Sequence, residues 1–340
     1  MFRDHDVFSG DEAGFKITDT ASIGKIFMAD KKGNTLLLER KPEGWVVNNT
    51  YPSLEAPVKG LLATLHSQAA QFPVPQQAYN NVITILAGNS VKVELYNRSG
   101  NKIKAFYVGG QANDNTGSYM LMEGAQTPYV VNIPGFTGYL TPRYSTDLAD
   151  WRDRLIFNAG PEQLKSVSVR YDTEPLNSFE FLASADGKFS VNADSVLIRG
   201  KQPNARRVDV YSKFFQKVYC EGYINGVRKL DSIIKSTDKY CTVEVTSKDG
   251  KKRSADVYWM PINRRSKNML VPMPGVDDKY DGDRFYAVVN NGKDTAIIQR
   301  ATFDKIFRKS WEFYTPDDTA KQHFVVPKGA ARVFHKPSGN

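Results

Sequence analysis

The chain has 340 residues, of which 41% are hydrophobic and 24% are charged. This composition is ordinary for a soluble globular protein, and it excludes a collagen-like chain, a disulfide scaffold and a wholly disordered chain. At about 150 residues per domain, the length predicts two domains.

The net charge of +9 arises in one half of the chain. Residues 1–160 carry 15 basic and 15 acidic side chains, so residues 161–340 hold the whole surplus. Asymmetry of this kind is compatible with contact between one lobe and an anionic surface, but it does not favour it. The alternative is that the lobe is only more soluble, because net charge also keeps proteins in solution.

No targeting segment is predicted within the chain. Residues 1–14 are polar and lack the apolar stretch of a signal peptide. The longest stretch without charged side chains, 60–91, contains too many Gln, Asn and Pro residues for a membrane-spanning helix. A leader or an anchor upstream of this chain stays an open alternative.

The first half predicts strands followed by helices and hairpins. Three strands are expected at 23–29, 35–40 and 45–47, and a helix bounded by Pro52 and Pro73 follows. The apolar face of that helix consists of Leu54, Val58, Leu61, Leu62 and Leu65. A second helix (76–87), a hairpin (93–105), a strand pair (119–122 with 129–133) and a short helix (138–151) that ends at Trp151 complete this half.

The second half predicts the same order of elements. Strands are expected at 164–170, 178–183 and 189–191, and then a helix with Asn204 as its N-cap. The apolar face of that helix consists of Val208, Tyr211, Phe214, Phe215 and Val218. A helix (230–237), a hairpin (243–255), a strand pair (285–289 with 295–300) and a short helix (303–311) that ends at Trp311 follow.

An internal repeat links the two halves. Residues 93–105 (VELYNRSGNKIKA) and 243–255 (VEVTSKDGKKRSA) share five of thirteen residues without a gap, and each has a glycine at the expected turn. Together with the shared order of elements, this match predicts an α+β fold of two related units in which antiparallel hairpins pack on helices. The predicted segments are an N-terminal segment (1–15), a first unit (16–158), a second unit (159–315) and a C-terminal tail (316–340).

Several motifs in the first half and at its end resemble a bacterial family known as domain of unknown function 4340. The resemblance covers residues 16–190 and rests on Thr20-Ala21-Ser22-Ile23, Gly44-Trp45, Tyr107-Val108-Gly109-Gly110, Gly117-Ser118-Tyr119-Met120-Leu121, Ile133-Pro134-Gly135-Phe136-Thr137-Gly138-Tyr139-Leu140 and Asp150-Trp151-Arg152-Asp153-Arg154. The family supplies no catalytic residues. The resemblance implies an envelope protein, often anchored at its N-terminus or lipidated, that accompanies transporter-like or gliding-type export components.

The sequence predicts no catalytic residue, no metal ligand set and no cofactor. Its four histidines are too widely spaced for a shared metal site, and no phosphate-binding glycine loop occurs. The acidic run 277–283 departs from the EF-hand pattern, which favours a solvated loop over a calcium site. Cys220 and Cys241 are expected to be quiet buried thiols in a reducing compartment, or a disulfide in an oxidising one.

Two groups of residues are candidate sites. The first contains an aromatic ring rimmed by arginines, as partner-binding hot spots do, although the favoured interpretation is a joint between the units; it consists of Asp150, Trp151, Arg152, Asp153 and Arg154. The second suits an anionic surface such as a membrane, rather than a specific nucleic acid; it consists of Lys251, Lys252, Arg253, Arg264, Arg265 and Lys267.

These features predict a non-catalytic scaffold or accessory subunit with one or more protein partners, in the extracytoplasmic cell envelope. The alternative function is a ligand-binding module or a hydrolase whose site lies in a cleft between the units. Clefts between domains are common ligand sites. Under that alternative the carboxylates of Asp150, Asp153 and Asp281 would carry the site, and no specific small-molecule substrate is predicted.

Overall fold

The computed structural model describes residues 13–113, 115–193, 196–269 and 276–315. The chain divides into two compact units, Met1–Asp153 and Arg154–Asn340. Each unit is α+β and contains an antiparallel sheet. The predicted boundary at 158/159 lies five residues after the division. Residues 1–12 and 316–340 of the predicted terminal segments lie outside the described residues.

The first unit is built on a nine-stranded antiparallel sheet with the order β4-β3-β2-β1-β6-β7-β8-β9-β5. Its strands are β1 (Ile23–Asp30), β2 (Thr35–Lys41), β3 (Gly44–Val47), β4 (Tyr51–Pro52), β5 (Ala69–Pro73), β6 (Val91–Asn97), β7 (Lys102–Gln111), β8 (Ser118–Met122) and β9 (Tyr129–Asn132). Its helices are α1 (Glu55–Ser67) and α2 (Gln76–Gly88).

Both faces of this sheet carry a helix. The apolar side chains of α1, Leu61 among them, join one buried cluster with Phe106 and Met120. Those of α2 join a second cluster with Tyr119 and Val130. Successive residues of a strand point to opposite faces of a sheet. The neighbours Tyr119 and Met120 therefore show that α1 and α2 pack on opposite faces.

The second unit contains an eight-stranded antiparallel sheet with the order β13-β12-β11-β16-β17-β18-β19-β15, and a separate pair of β10 with β14. The strands are β10 (Leu155–Phe157), β11 (Leu164–Arg170), β12 (Phe179–Ala183), β13 (Phe189–Asn192), β14 (Val218–Tyr219), β15 (Gly222–Tyr223), β16 (Lys239–Ser247), β17 (Lys252–Pro261), β18 (Tyr280–Val289) and β19 (Asp294–Gln299). The helices are α3 (Ala205–Ser212), α4 (Leu230–Lys235) and α5 (Arg300–Phe303).

The main helix of each unit is shorter than predicted. Helix α1 ends at Ser67 rather than at Pro73, because Gln68 is extended and buried and its amide donates to the Phe15 carbonyl at 2.8 Å. The residues up to Pro73 form β5 instead. Helix α3 ends at Ser212 rather than at Val218, since a 3-10 turn follows and Lys217 takes a left-handed conformation (φ 52°).

The two predicted closing helices are also corrected. Residues 138–151 contain two 3-10 helices, Thr141–Tyr144 and Leu148–Asp150, and not one helix. Residues 303–311 contain the end of α5 and the start of a 3-10 helix, Ser310–Tyr314. Pro142 lacks a backbone N–H, and its neighbours bond to distant elements instead of extending a helix: the Thr141 hydroxyl donates to the Gly109 carbonyl at 2.5 Å, and Arg143 donates to the Thr64 hydroxyl at 3.3 Å.

Asn204 caps α3 as the sequence predicts. Its side-chain oxygen accepts from the backbone N–H groups of Arg206 at 3.0 Å and Arg207 at 3.3 Å. We expect Asn204→Ala to lower the free energy of unfolding by about 1 kcal/mol, because two N–H groups at the helix start lose their acceptor. Urea unfolding measures this loss. Asn204→Asp keeps the acceptor and serves as the control; equal stability of the alanine variant and the wild type would contradict the prediction.

Candidate interaction surfaces

The segment 150–154 is divided between the two units. Trp151 is buried in the core of the first unit, and its indole N–H donates to the Ser145 carbonyl at 2.9 Å. Its own carbonyl accepts from the backbone N–H of Leu54, the N-cap of α1, at 2.7 Å. Trp151 therefore holds the start of α1 in place, which gives it a structural role within this unit.

The charged neighbours of Trp151 make local contacts. The guanidinium carbon of Arg152 lies 3.8 Å from the centroid of the Tyr51 ring, in cation–π geometry. Asp150 accepts from the Ser145 hydroxyl, and the backbone N–H of Asp153 donates to the Pro52 carbonyl at 2.8 Å. In the second unit, Arg154 donates to the Glu221 carbonyl at 2.9 Å. Each of these predicted site residues thus contacts its own unit.

Strand β17 separates the two runs of basic residues in the predicted basic surface. This strand has ten residues, and at about 3.3 Å per residue its ends lie about 30 Å apart. The run 251–253 lies at its start and the run 264–267 beyond its end. The six basic residues therefore form two separate groups and not one continuous patch.

All three lysines of these two runs have acidic partners. Lys251 pairs with Asp249 at 2.9 Å, Lys252 with Glu244 at 3.2 Å and Lys267 with Asp283 at 2.9 Å. Arg253 instead donates to the Ile156 carbonyl at 3.2 Å. Arg264 and Arg265 are both exposed. Surface pairs of this kind neutralise charge and contribute little stability, so the attraction for an anionic surface is weaker than the sequence indicates.

The acidic run 277–283 contains one buried carboxylate, that of Asp281. Its Oδ1 accepts from the backbone N–H groups of Asp283 at 2.8 Å and Arg284 at 3.0 Å, and its Oδ2 accepts from the Ser266 hydroxyl. These bonds hold the start of β18, which indicates a structural role for Asp281 rather than a catalytic one. No group of three potential metal ligands occurs among the described residues.

His66 and the two cysteines are the remaining titratable residues of interest from the sequence. His66 is exposed on α1, and its ring Nδ1 lies 3.1 Å from the Thr18 carbonyl. Cys220 and Cys241 are both thiols buried in the core of the second unit. Burial raises the pKa of the Cys241 thiol well above its ordinary value, which keeps the thiol protonated and unreactive.

A partly buried carboxyl group directly after α5, that of Asp304, has no signal in the sequence. Burial raises the pKa of Asp304 to about 7, although the positive charges of Arg300 and Arg308 oppose this shift. Arg300 is itself buried, with its guanidinium carbon 5.0 Å from the centroid of the Phe285 ring. Asp304 follows α5 by one residue, so only the fold of the second unit determines its burial.

A groove of about 320 Å³ on the second unit was also not predicted. We call it the α3 groove. One wall is α3 with the turn after it, and includes Val210 and Phe214. The opposite wall is the segment that leads into and forms the last 3-10 helix, and includes Arg308 and Phe313. The sequence shows the apolar face of α3 but not which of its side chains stay exposed.

None of the helices in the described part of the chain has the length and apolar composition that a membrane crossing requires. No family model, curated protein or solved structure matches this chain. The resemblance to the domain of unknown function 4340 family stays a prediction from the motifs.

Proposed function

We propose that this chain is a non-catalytic scaffold or accessory subunit of the bacterial cell envelope, built by duplication of one α+β unit, and that it binds another protein. The duplication is supported by the two sheets. In order, β3, β2, β1, β6, β7, β8, β9 and β5 have the same neighbours as β13, β12, β11, β16, β17, β18, β19 and β15. A shared order of eight strands is difficult to reach twice by chance.

The register of the strands supports the duplication further. The pairing of β1 with β6 shifts by one residue directly after Ile23, opposite Asn97, and the pairing of β11 with β16 shifts directly after Leu164, opposite Ser247. A β-bulge of this kind is a specific feature that related structures keep. Because Asn97 and Ser247 also correspond in the sequence repeat, structure and sequence give the same alignment.

A hydrogen bond at the start of the main helix repeats as well. The N–H of the α1 N-cap, Leu54, donates to the Trp151 carbonyl, and the N–H of the α3 N-cap, Asn204, donates to the Phe313 carbonyl, each at 2.7 Å. Both acceptors are buried aromatic residues. Under the proposed duplication, this bond supports Phe313, rather than the predicted Trp311, as the counterpart of Trp151.

The binding function rests on one observation, the α3 groove. Counted from the N-caps, α1 has Gly60 and Thr64 where the second unit has Val210 and Phe214. Thr64 is buried, and Arg143 donates to its hydroxyl at 3.3 Å. The second copy thus exposes apolar side chains where the first has small or polar ones, as expected if one copy was adapted to bind a partner.

Chemical crosslinking in the bacterium that encodes the chain tests this function. We expect an affinity-tagged chain to be recovered from the envelope fraction with the same partner protein in each repeat. A tagged protein of similar size and charge from the same fraction serves as the control. Recovery of the chain alone, or its confinement to the cytosolic fraction, would count against the proposal. The envelope location is supported only by the resemblance of the motifs.

A further inference from the structure

Two asparagines of the chain precede a glycine, and both lie in the second unit. Asn225-Gly226 follows β15, and Asn291-Gly292 lies in the turn between β18 and β19. An asparagine before a glycine is prone to lose its side-chain amide, because glycine leaves the next main-chain nitrogen free to approach the side-chain carbonyl carbon. Both asparagines are exposed, so access to solvent does not distinguish them.

The side chain of Asn225 is held on β19 by two hydrogen bonds. Its Nδ2 donates to the Asp294 carboxylate at 2.7 Å, and its Oδ1 accepts from the backbone N–H of Thr295 at 2.8 Å. The main chain is held there too, since the N–H of Ile224 donates to the Thr295 carbonyl at 2.8 Å. Attack on the Asn225 side chain therefore requires both side-chain bonds to break first, and a bond to a carboxylate is among the stronger ones.

Asn291 lies at the tip of a turn that is held more weakly. Asn291 and Gly292 have positive φ values of 56° and 81°. The side chain of Asn291 makes no hydrogen bond to any of the described residues. The N–H of Lys293 donates to the Asn290 carbonyl across the turn at 3.3 Å, which is long for such a bond. The main chain at this tip can therefore rotate at a small cost in free energy.

We propose that Asn291 is a site of spontaneous deamidation and that the contacts of Asn225 with β19 protect it from the same change. The main-chain nitrogen of Gly292 gives its proton to water and attacks the side-chain carbonyl carbon of Asn291. The bond from that carbon to Nδ2 breaks, and the nitrogen takes up a proton from water and leaves as ammonia. Water then opens the resulting succinimide ring at either carbonyl, which gives aspartate or isoaspartate. The turn gains a negative charge, and this chemistry does not depend on the proposed function.

Peptide mapping of the full chain after incubation at pH 8 tests the inference. Trypsin separates the two sites, because it releases residues 218–228 and 285–293 as different peptides. Mass spectrometry detects the replacement of ammonia by water. In the folded chain we expect the mass change at Asn291 to be roughly tenfold faster than at Asn225, since Asn225 reacts only after local opening. In concentrated urea we expect similar rates at the two sites, because the protection disappears with the fold.

Two variants locate the change within the turn. Asn291→Gln is expected to abolish it on the same timescale, because glutamine must form a larger ring and does so more slowly. Asn290→Gln makes the same substitution at the adjacent exposed residue and is expected to keep the wild-type rate. A mass change that persists in Asn291→Gln, or that is lost in Asn290→Gln, would overturn the inference. Equal rates at Asn225 and Asn291 in the folded wild type, or no change at either while the chain in urea reacts, would overturn it as well.

Discussion

Replacing Trp151 with alanine is expected to lower the free energy of unfolding of the first unit by about 3–5 kcal/mol. The indole is 3% exposed and packs in the core around α1. Alanine leaves a large cavity there and also leaves the Ser145 carbonyl without the indole N–H that it accepts. A cavity of this size costs both the lost burial and the contacts that its walls no longer make.

Urea unfolding followed by circular dichroism measures this loss. Trp151→Phe is the matched control, because it keeps an aromatic ring and removes only the indole N–H, at an expected cost of about 1 kcal/mol. A loss below about 1 kcal/mol for the alanine variant would show that Trp151 is not a core residue. The surface role offered by the sequence would then be the better explanation.

Replacing Asp304 with asparagine is expected to stabilise the second unit at pH 8, and to stabilise it much less at pH 4. The folded pKa of about 7 lies above the ordinary value of 3.8. Well below pH 3.8 the carboxyl is protonated in both the folded and the unfolded state, so it does not change the free energy of unfolding. Between about pH 4 and pH 7 the unfolded chain releases the proton while the folded chain holds it, so stability falls as pH rises.

Above about pH 7 the carboxylate is charged in both states and the cost is constant. The full shift corresponds to about 4 kcal/mol, and water that reaches this partly exposed side chain reduces the expected gain to about 2 kcal/mol. Unfolding at pH 4 and pH 8 measures it. Glu162→Gln, at an exposed carboxylate of the same unit, is the control. An Asp304→Asn variant that loses stability at pH 8 would show that the charge pair with Arg300 dominates instead.

Local signals in the sequence predict the elements that local contacts stabilise. Gly100 and Gly250 take positive φ values of 85° and 83° in the central hairpin turns, a conformation that glycine alone adopts without strain. Asn204 caps α3 because its side chain reaches the next two N–H groups. Turn and cap signals of this kind lie within a few residues, so one sequence is sufficient to find them.

Elements stabilised by distant partners were missed. Strand β5 reads Ala-Ala-Gln-Phe-Pro, without alternation, and forms only because β9 pairs with it from more than fifty residues away. Strand β15 has two residues and depends on β19 in the same way. The α3 groove and the burial of Asp304 are also products of tertiary packing. A periodic pattern identifies an apolar face, but the side chains that remain exposed depend on what packs against it.

The two buried cysteines provide a probe of the opening of the second unit. Cys220 and Cys241 both belong to that unit, and their exposed fractions are 6% and 0%. A thiol reagent reaches Cys241, in β16, only when the core of this unit opens, so the rate of its alkylation measures the opening of the second unit and not of the first. Opening of one unit can therefore be timed in the intact chain without an added label.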